Sequence, residues 1–281
     1  VPPLAERERF GPSRIAVIIP TRDRPCRVEE AIASVYSQTM RPDLVVVVGE
    51  KSSDLKRVHG SGMLPRDQIP TLLALNSRTP NLSGAVNTAL IRLVRKGFEP
   101  ETCYVAILDD DDSWEPQYLE RCFSLARKQR LDWVVAGITR HESEKGDGTD
   151  LSIPSRLTAS SFLRTNPHVQ GSNLFVRLST VLRAGCFDEN LRSTTDRDLG
   201  IRLVNLGNTR VGFVHEHLVH HAAYGRGRLS TPGSTRKRAG LVAFYQKHAP
   251  LMSDADRREF LHRAETLFDV HANDFEGGKA R

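Results

Sequence analysis

The chain has 281 residues, 39% of them hydrophobic and 26% charged, with a formal net charge of +6. That describes a globular protein long enough for one large α/β domain, or a domain with a substantial extension. No stretch reaches the run of about 18 to 20 apolar residues that a spanning helix needs, which excludes a membrane-span reading.

The opening residues, VPPLAERER, lack the apolar core of a signal peptide, so cytoplasmic residence is expected and residues 1–13 read as an N-terminal extension. Residues 15–19 form a short β-branched run that stops at Pro20, the pattern of a buried strand. A helix follows, because Val28, Ala31, Ile32 and Val35 fall at i, i+3, i+4 and i+7. Residues 44–48 and 71–75 are two further strands of the buried type. Val86, Ala89, Leu90 and Leu93 then mark one face of a helix that starts near Ser83 and stops before Gly97.

Residues 104–108 are again a strand, and Pro116 opens a helix whose stripe is Leu119, Cys122, Phe123 and Ala126. Residues 133–138 make another strand, and the polar run 141–150 reads as a loop. Beyond it come a strand at 173–176, a helix at 178–184 and a helix from about Asp196 to Gly207 carrying Leu199, Leu203 and Leu206. Residues 210–214 are strand-like and lead into a histidine-rich stretch. A loop rich in Gly, Ser, Pro and Arg over 225–238 precedes two C-terminal helical patterns, and no internal repeat is evident.

Strands alternating with helices at this spacing imply parallel pairing through crossover connections, with ligands outside the carboxyl ends of the strands. Three strand ends therefore converge on one crevice: Pro20, Thr21, Arg22 and Asp23 from the first, Gly49 to Ser52 from the second, and Asp109 to Asp112 from the fourth. Four consecutive carboxylates at the mouth of a sheet supply hard oxygen ligands for a divalent cation held against a phosphorylated ligand. A solvated acidic turn leading into the next helix is the bland alternative. The cysteines, Cys26, Cys103, Cys122 and Cys186, are far apart and without metal-ligand spacing, so reduced structural thiols are expected. Basic residues gather late, at Arg226, Arg228, Arg236, Lys237 and Arg238. No nucleic-acid fold signature accompanies them, and a phosphate-bearing small ligand would use the same charges.

Three segments together resemble family 2 glycosyltransferases with the GT-A fold. Residues 16–25 (AVIIPTRDRP) with 31–39 (AIASVYSQT) look like the family's opening strand and helix. Residues 82–87 (LSGAVN) and 107–114 (ILDDDDSW) look like its donor-binding core, and 185–189 (GCFDE) with 196–203 (DRDLGIRL) like its acceptor-side motif. The resemblance runs over about residues 14–221. It implies a Rossmann-like, mostly parallel central sheet flanked by helices, with a C-terminal helical extension. It divides the chain into a nucleotide-sugar-binding half (14–140), an acceptor-binding half of the same domain (141–224), and a basic loop with C-terminal helices (225–281).

By the same resemblance, the donor is a nucleoside-diphosphate sugar of UDP or GDP type, the cofactor Mn2+ or Mg2+, and the transfer inverting. The family's Asp-x-Asp maps onto Asp109 and Asp111, with Asp110 at the variable position and Asp112 as the acidic residue that follows. Asp111 is expected on the metal and Asp109 nearer the ribose or a metal-bound water. Pro20, Thr21, Arg22, Asn87 and Asp110 are expected around the nucleotide sugar. Gly49-Glu50 departs from the family's usual aspartate pair, and Glu50 is the best match to the residue that accepts hydrogen bonds from the base. A carboxylate there serves uracil or guanine, which leaves the base open.

Asp196 is the candidate general base, with Thr195 where the family usually has Glu. Thr195 and Asp198 also have capping-box spacing, so Asp198 is assigned to capping. His215, His217, His220 and His221 alternate, and a histidine from this region completes the metal site in several enzymes of this fold, which puts His215 and His217 forward. The 225–238 loop suits either a lid whose arginines close over the diphosphate or a basic linker. The acceptor is expected to be a hydroxyl of a small molecule, a natural product or a glycan, and a homodimer is compatible with the chain. A sugar nucleotidyltransferase would need a Gly-rich loop after the first strand, which Pro20-Thr21-Arg22-Asp23 does not offer. A non-catalytic nucleotide- or carbohydrate-binding module is the third reading.

Overall fold

A computed structural model describes residues 13–60, 69–225, 231 and 233–276. The first part alternates strictly: β1 (Arg14–Thr21), α1 (Pro25–Tyr36), β2 (Leu44–Gly49), α2 (Ser52–Gly60), β3 (Thr71–Leu75), α3 (Leu82–Arg95) and β4 (Cys103–Ile107). Then follow β5 (Ser113–Trp114), α4 (Tyr118–Gln129), β6 (Trp133–His141), β7 (Thr149–Asp150), α5 (Ala159–Arg164), β8 (Leu174–Arg177) and α6 (Leu178–Arg183). The chain continues through α7 (Thr195–Asn205), β9 (Val211–Ala222), α8 (Thr235–His248), α9 (Asp254–Phe268) and α10 (Ala272–Glu276).

One nine-stranded sheet runs in the order β3-β2-β1-β4-β8-β6-β9-β5, with β7 beside β6. The strands β3, β2, β1 and β4 are mutually parallel, as their crossover helices demand. Past β4 the sheet is mixed, because β8 runs antiparallel to both β4 and β6 while β6 and β9 are parallel.

Both faces of the parallel half are covered, which is why β1 and β2 read as unbroken apolar runs. Alternate side chains go to opposite cores. Ala16, Ile18, Val46, Val48, Val105 and Ile107 pack with the α3 stripe Val86, Ala89, Leu90 and Leu93. Ile15, Val17, Ile19, Val45, Val47 and Tyr104 pack with α1 and α4 through Val28, Ile32, Val35, Leu119 and Cys122. Asn81 caps α3 by accepting from the Gly84 N–H at 2.8 Å. A Cβ on Gly84 would lie 2.0 Å from the Thr79 carbonyl oxygen, so the turn into α3 admits glycine alone.

Four features depart from the sequence expectation. The polar segment after the second strand is helical (α2), although few of its residues are apolar. Residues 141–150 are not one loop, because β6 runs to His141 and β7 pairs back onto it. Arg236, Lys237 and Arg238 belong to the first turns of α8 rather than to a loop, while Arg226 and Arg228 lie outside the described residues. Finally, β9 runs on through the histidines with two irregularities. Ala136 faces Val214, Gly137 faces His217 and Ile138 faces Val219, so β9 carries three extra residues, His215, Glu216 and Leu218.

The C-terminal helices are part of the fold. Phe260 stacks on Phe244 and on Tyr245, and Phe275 packs tilted or edge-on against Tyr245 and Phe260. The buried guanidinium of Arg197, on α7, lies 4.6 Å from the Phe244 ring centre and 5.4 Å from that of Phe260. It also donates to the carbonyls of Phe162 and Leu163 on α5. One cation thus joins α5, α7, α8 and α9. Cys103, Cys122 and Cys186 are free thiols, and burial raises all three.

Candidate active site

The acidic run begins directly after β4 and its four side chains have four different surroundings. Asp110 is buried; it accepts from the Thr21 hydroxyl at 2.9 Å, from the Arg22 N–H at 3.2 Å and from Arg24 Nη1 at 3.0 Å. It therefore ties the end of β4 to the end of β1. Asp111 accepts from the same Arg24 nitrogen at 2.5 Å. Asp112 is buried against β9: it accepts from the Ser172 hydroxyl at 2.6 Å and the Ala222 N–H at 3.1 Å, with His221 Nδ1 at 3.0 Å.

Asp109 differs. Its backbone N–H donates to the Ser172 hydroxyl, but its Oδ1 is shut off from solvent with no hydrogen-bond partner among the described residues. Gly171 lies against it, and a Cβ there would sit 3.1 Å from Asp109 Oδ1. Gly171 also donates a backbone hydrogen bond to Asp196, in the first turn of α7, whose Oδ1 is likewise buried without a partner among the described residues.

Electrostatics follow from this crowding. Burial pushes the Asp109 carboxyl well above its ordinary value, and Asp112, Asp196, Asp111 and Asp110 push it further. Burial raises Asp110 against the pull of Arg24. It raises Asp111 as well, helped by Asp112 and opposed by Arg24. Asp196 is raised to about 6, by burial, against the opposing charge of Lys237, a backbone hydrogen bond from Gly171 and His221. Lys237 itself is pushed down to about 8, chiefly by burial. Such a cluster costs free energy until positive charge balances it.

The remaining expected residues are placed as follows. Pro20 is the next-to-last residue of β1, opposite Val48. Thr21 and the Arg22 backbone are spent on Asp110, while the Arg22 side chain is exposed beside Asp23. Glu50 directly follows β2 and accepts from the Asn76 side chain at 3.1 Å, so it stands at the crevice with one oxygen engaged. Asn87 is a correction. Its amide donates to the Phe187 carbonyl and to Glu189 and accepts from the Phe187 N–H, so it binds the 185–189 segment to α3 and has no donor left for a nucleotide.

The histidines are a second correction. His217 Nε2 lies 2.9 Å from the Leu151 carbonyl oxygen and its Nδ1 3.4 Å from Asp150, and His215 is exposed, so neither joins the acidic cluster. His220 bridges His141 and Glu115. The histidine at the cluster is His221. The extra residues in β9 are the physical reason, since strict alternation from 215 assumes a straight strand.

Asp198 is the third correction, because it caps nothing. Buried completely, it accepts from Arg202 at 2.7 and 2.9 Å and from Lys247 at 2.6 Å, with His248 at 2.9 Å, and these partners hold it down to about 2 despite burial. The residue before α7, Thr194, has left-handed backbone and no side-chain cap bond. Sequence reasoning missed Arg24, Gly171 and Ser172. The small pair Gly171-Ser172 just before a strand was the one available signal; Arg24 had none.

The oxygen donors fit a hard divalent cation. Asp111 and the unpartnered Asp109 Oδ1 provide the one or two carboxylates on which magnesium-type sites rely, the rest coming from substrate phosphates. Among the described residues no group of three His, Cys, Asp or Glu side chains is gathered that could hold a metal ion by itself.

Comparison with known proteins agrees with this architecture. The structure is similar to TarS residues 1–349 from S. aureus, with a TM-score of 0.64 at 17% identity over 95% of this chain and 75% of that one. The same fragment in complex with UDP-GlcNAc gives 0.63 at 17% identity, over 95% and 76% of the two chains, while the chain spans 46% of the longer TarS structure. The mannosyltransferase PcManGT from Pyrobaculum calidifontis, in complex with GDP-Man and Mn2+, gives 0.60 at 18% identity over 92% and 70%. At such identities these likenesses establish a shared GT-A fold. No curated protein sequence matches the chain. The model of glycosyl transferase family 2 matches residues 16–183, well over half of the 281. The chain belongs to glycosyl transferase family 2 and is a glycosyltransferase.

Proposed function

We propose that the chain transfers a sugar from a nucleoside-diphosphate donor to an acceptor hydroxyl in one displacement, with inversion at the anomeric carbon. The reading rests on one observation above all: two buried carboxylate oxygens without partners, Asp109 Oδ1 and Asp196 Oδ1, belong to side chains that both lie against Gly171. Asp196, raised to about 6, is ionised at neutral pH yet basic enough to take a proton from an attacking hydroxyl.

Asp111 and Asp109 would hold Mn2+ or Mg2+, which when bound supplies positive charge to the leaving diphosphate. Asp110 keeps the β1 and β4 ends together, so the Thr21–Arg22 loop lines the nucleotide pocket. Glu50 stands where a carboxylate can accept from the ring N–H of uracil or the two adjacent donors of guanine. UDP-GlcNAc and GDP-Man in the complexes of similar structures support a donor of either type. A hydroxyl of a small molecule, natural product or glycan completes the reaction.

The test is a thermal-shift panel of UDP, GDP and dTDP with and without Mn2+, on the wild type and Asp111→Asn. One nucleotide should raise the melting temperature in a Mn2+-dependent way in the wild type and lose that dependence in the variant. Equal shifts in both proteins would remove Asp111 from the proposed metal role.

A further inference from the structure

Arg24 stands between the end of β1 and the start of α1, with φ −130° and ψ 64°, and adds no cap to that helix. Both of its bonds to the acidic run go through the single nitrogen Nη1, to Asp110 at 3.0 Å and Asp111 at 2.5 Å. This is not the paired, two-nitrogen fork that makes an arginine–carboxylate contact rigid. The side chain is 32% exposed, whereas those of Asp110 and Asp111 are 8% and 17% exposed. Asp112 is held by a different set of partners, Ser172, His221 and the Ala222 N–H. Arg24 therefore closes the solvent side of the cluster and is the member best placed to leave.

Two of its properties suit a second position. A guanidinium matches the geometry of phosphate oxygens as well as that of a carboxylate. Its backbone belongs to the same loop as Thr21 and Arg22, which borders the crevice where three strand ends meet. Moving off Asp111 would leave that carboxylate free to ligate while keeping the arginine beside any diphosphate bound there.

We propose that Arg24 is a resident counter-cation: in the ligand-free protein it balances Asp110 and Asp111, and on donor binding it yields Asp111 to a divalent cation and turns to the diphosphate. The inference rests on the cation-binding reading of Asp109 and Asp111 given above. It makes opposite predictions for metal and nucleotide, which a merely structural arginine would not. In calorimetry with MnCl2 alone, Arg24→Ala and Arg24→Gln should each bind the ion roughly three- to tenfold more tightly than wild type, because a competitor is gone. Titrated with UDP and GDP at saturating Mn2+, the same variants should bind the accepted nucleotide about tenfold more weakly.

Unchanged or weaker Mn2+ binding in both variants would overturn the proposal. Asp111→Asn separates the two levels of argument. If it loses Mn2+ while the Arg24 variants gain nothing, the counter-cation role alone falls. If it binds Mn2+ as wild type does, the cation reading falls and the Arg24 role with it.

Discussion

Changing Asp196 to Asn separates two explanations of the same carboxylate. As an acid at the start of α7, it would be expected to stabilise the helix through the macrodipole, by about 0.3–1 kcal/mol. The structure argues the reverse. The carboxyl is raised from 3.8 to about 6, first of all by burial, and its Oδ1 has no partner. The sign follows from linkage: an acid whose folded value lies above its unfolded one costs stability at neutral pH, and the cost fades as pH falls through about 6 toward 3.8. A rise of this size corresponds to roughly 3 kcal/mol at pH 7. That is an upper bound for the gain in Asp196→Asn, because asparagine keeps a desolvation cost of its own. The variant should therefore melt a few degrees higher at pH 7, with the advantage shrinking toward pH 4. Turnover should fall by about 10²–10⁴, the usual contribution of a general base. The assays are differential scanning calorimetry across pH and initial rates with a sugar nucleotide. A variant that melts lower at pH 7 and still transfers sugar at near-normal rate would refute the reasoning on both counts.

The remaining predictions concern the supports of that carboxylate. Wild-type kcat should decline as pH drops through about 6, since the raised carboxyl must be ionised to accept a proton; a flat profile down to pH 5 would exclude Asp196 as the titrating group. Asp198→Asn strips a fully buried partner from Arg202, Lys247 and His248 and should cost about 3–5 kcal/mol in urea unfolding, against near-neutrality if the group only decorated a helix start. Gly240→Ala would place a Cβ 2.1 Å from the Ser193 hydroxyl and 2.7 Å from the Ser193 backbone nitrogen. It should push α8 off the segment that leads into α7, lowering both kcat and melting temperature, and a wild-type-like protein would show that segment to be indifferent to α8.

How far the sequence could be read depends on what each element buries. β1, β2 and β4 were legible because strands covered on both faces must be apolar throughout, and α3 because its stripe faces one layer. The mixed half was harder. The three extra residues in β9 leave no compositional trace, yet they decide that His221 and not His215 or His217 meets Asp112. The sequence placed Asp109 and Asp111 at the end of a strand and Asp196 at the start of a helix, and the structure has them there, buried close together. Asn87 and Asp198 were misread because the same side chains serve equally well as internal fasteners, and only their partners tell the difference. Arg24 was invisible for a related reason: an arginine after a strand is common, and its meaning lies entirely in facing Asp110 and Asp111.

The packing of Arg197 against Phe244 and Phe260 bears on how this chain can be recombined. The family match stops at residue 183, and the aromatic rings that grip the neighbour of Asp196 come from beyond residue 240. A chimera spliced near residue 230 would keep Asp196 and exchange the rings that grip its neighbour, whereas one spliced near 183 would move α7 and its grip together. Recombining this scaffold without disturbing the start of α7 therefore means carrying α7 to α10 across as one block.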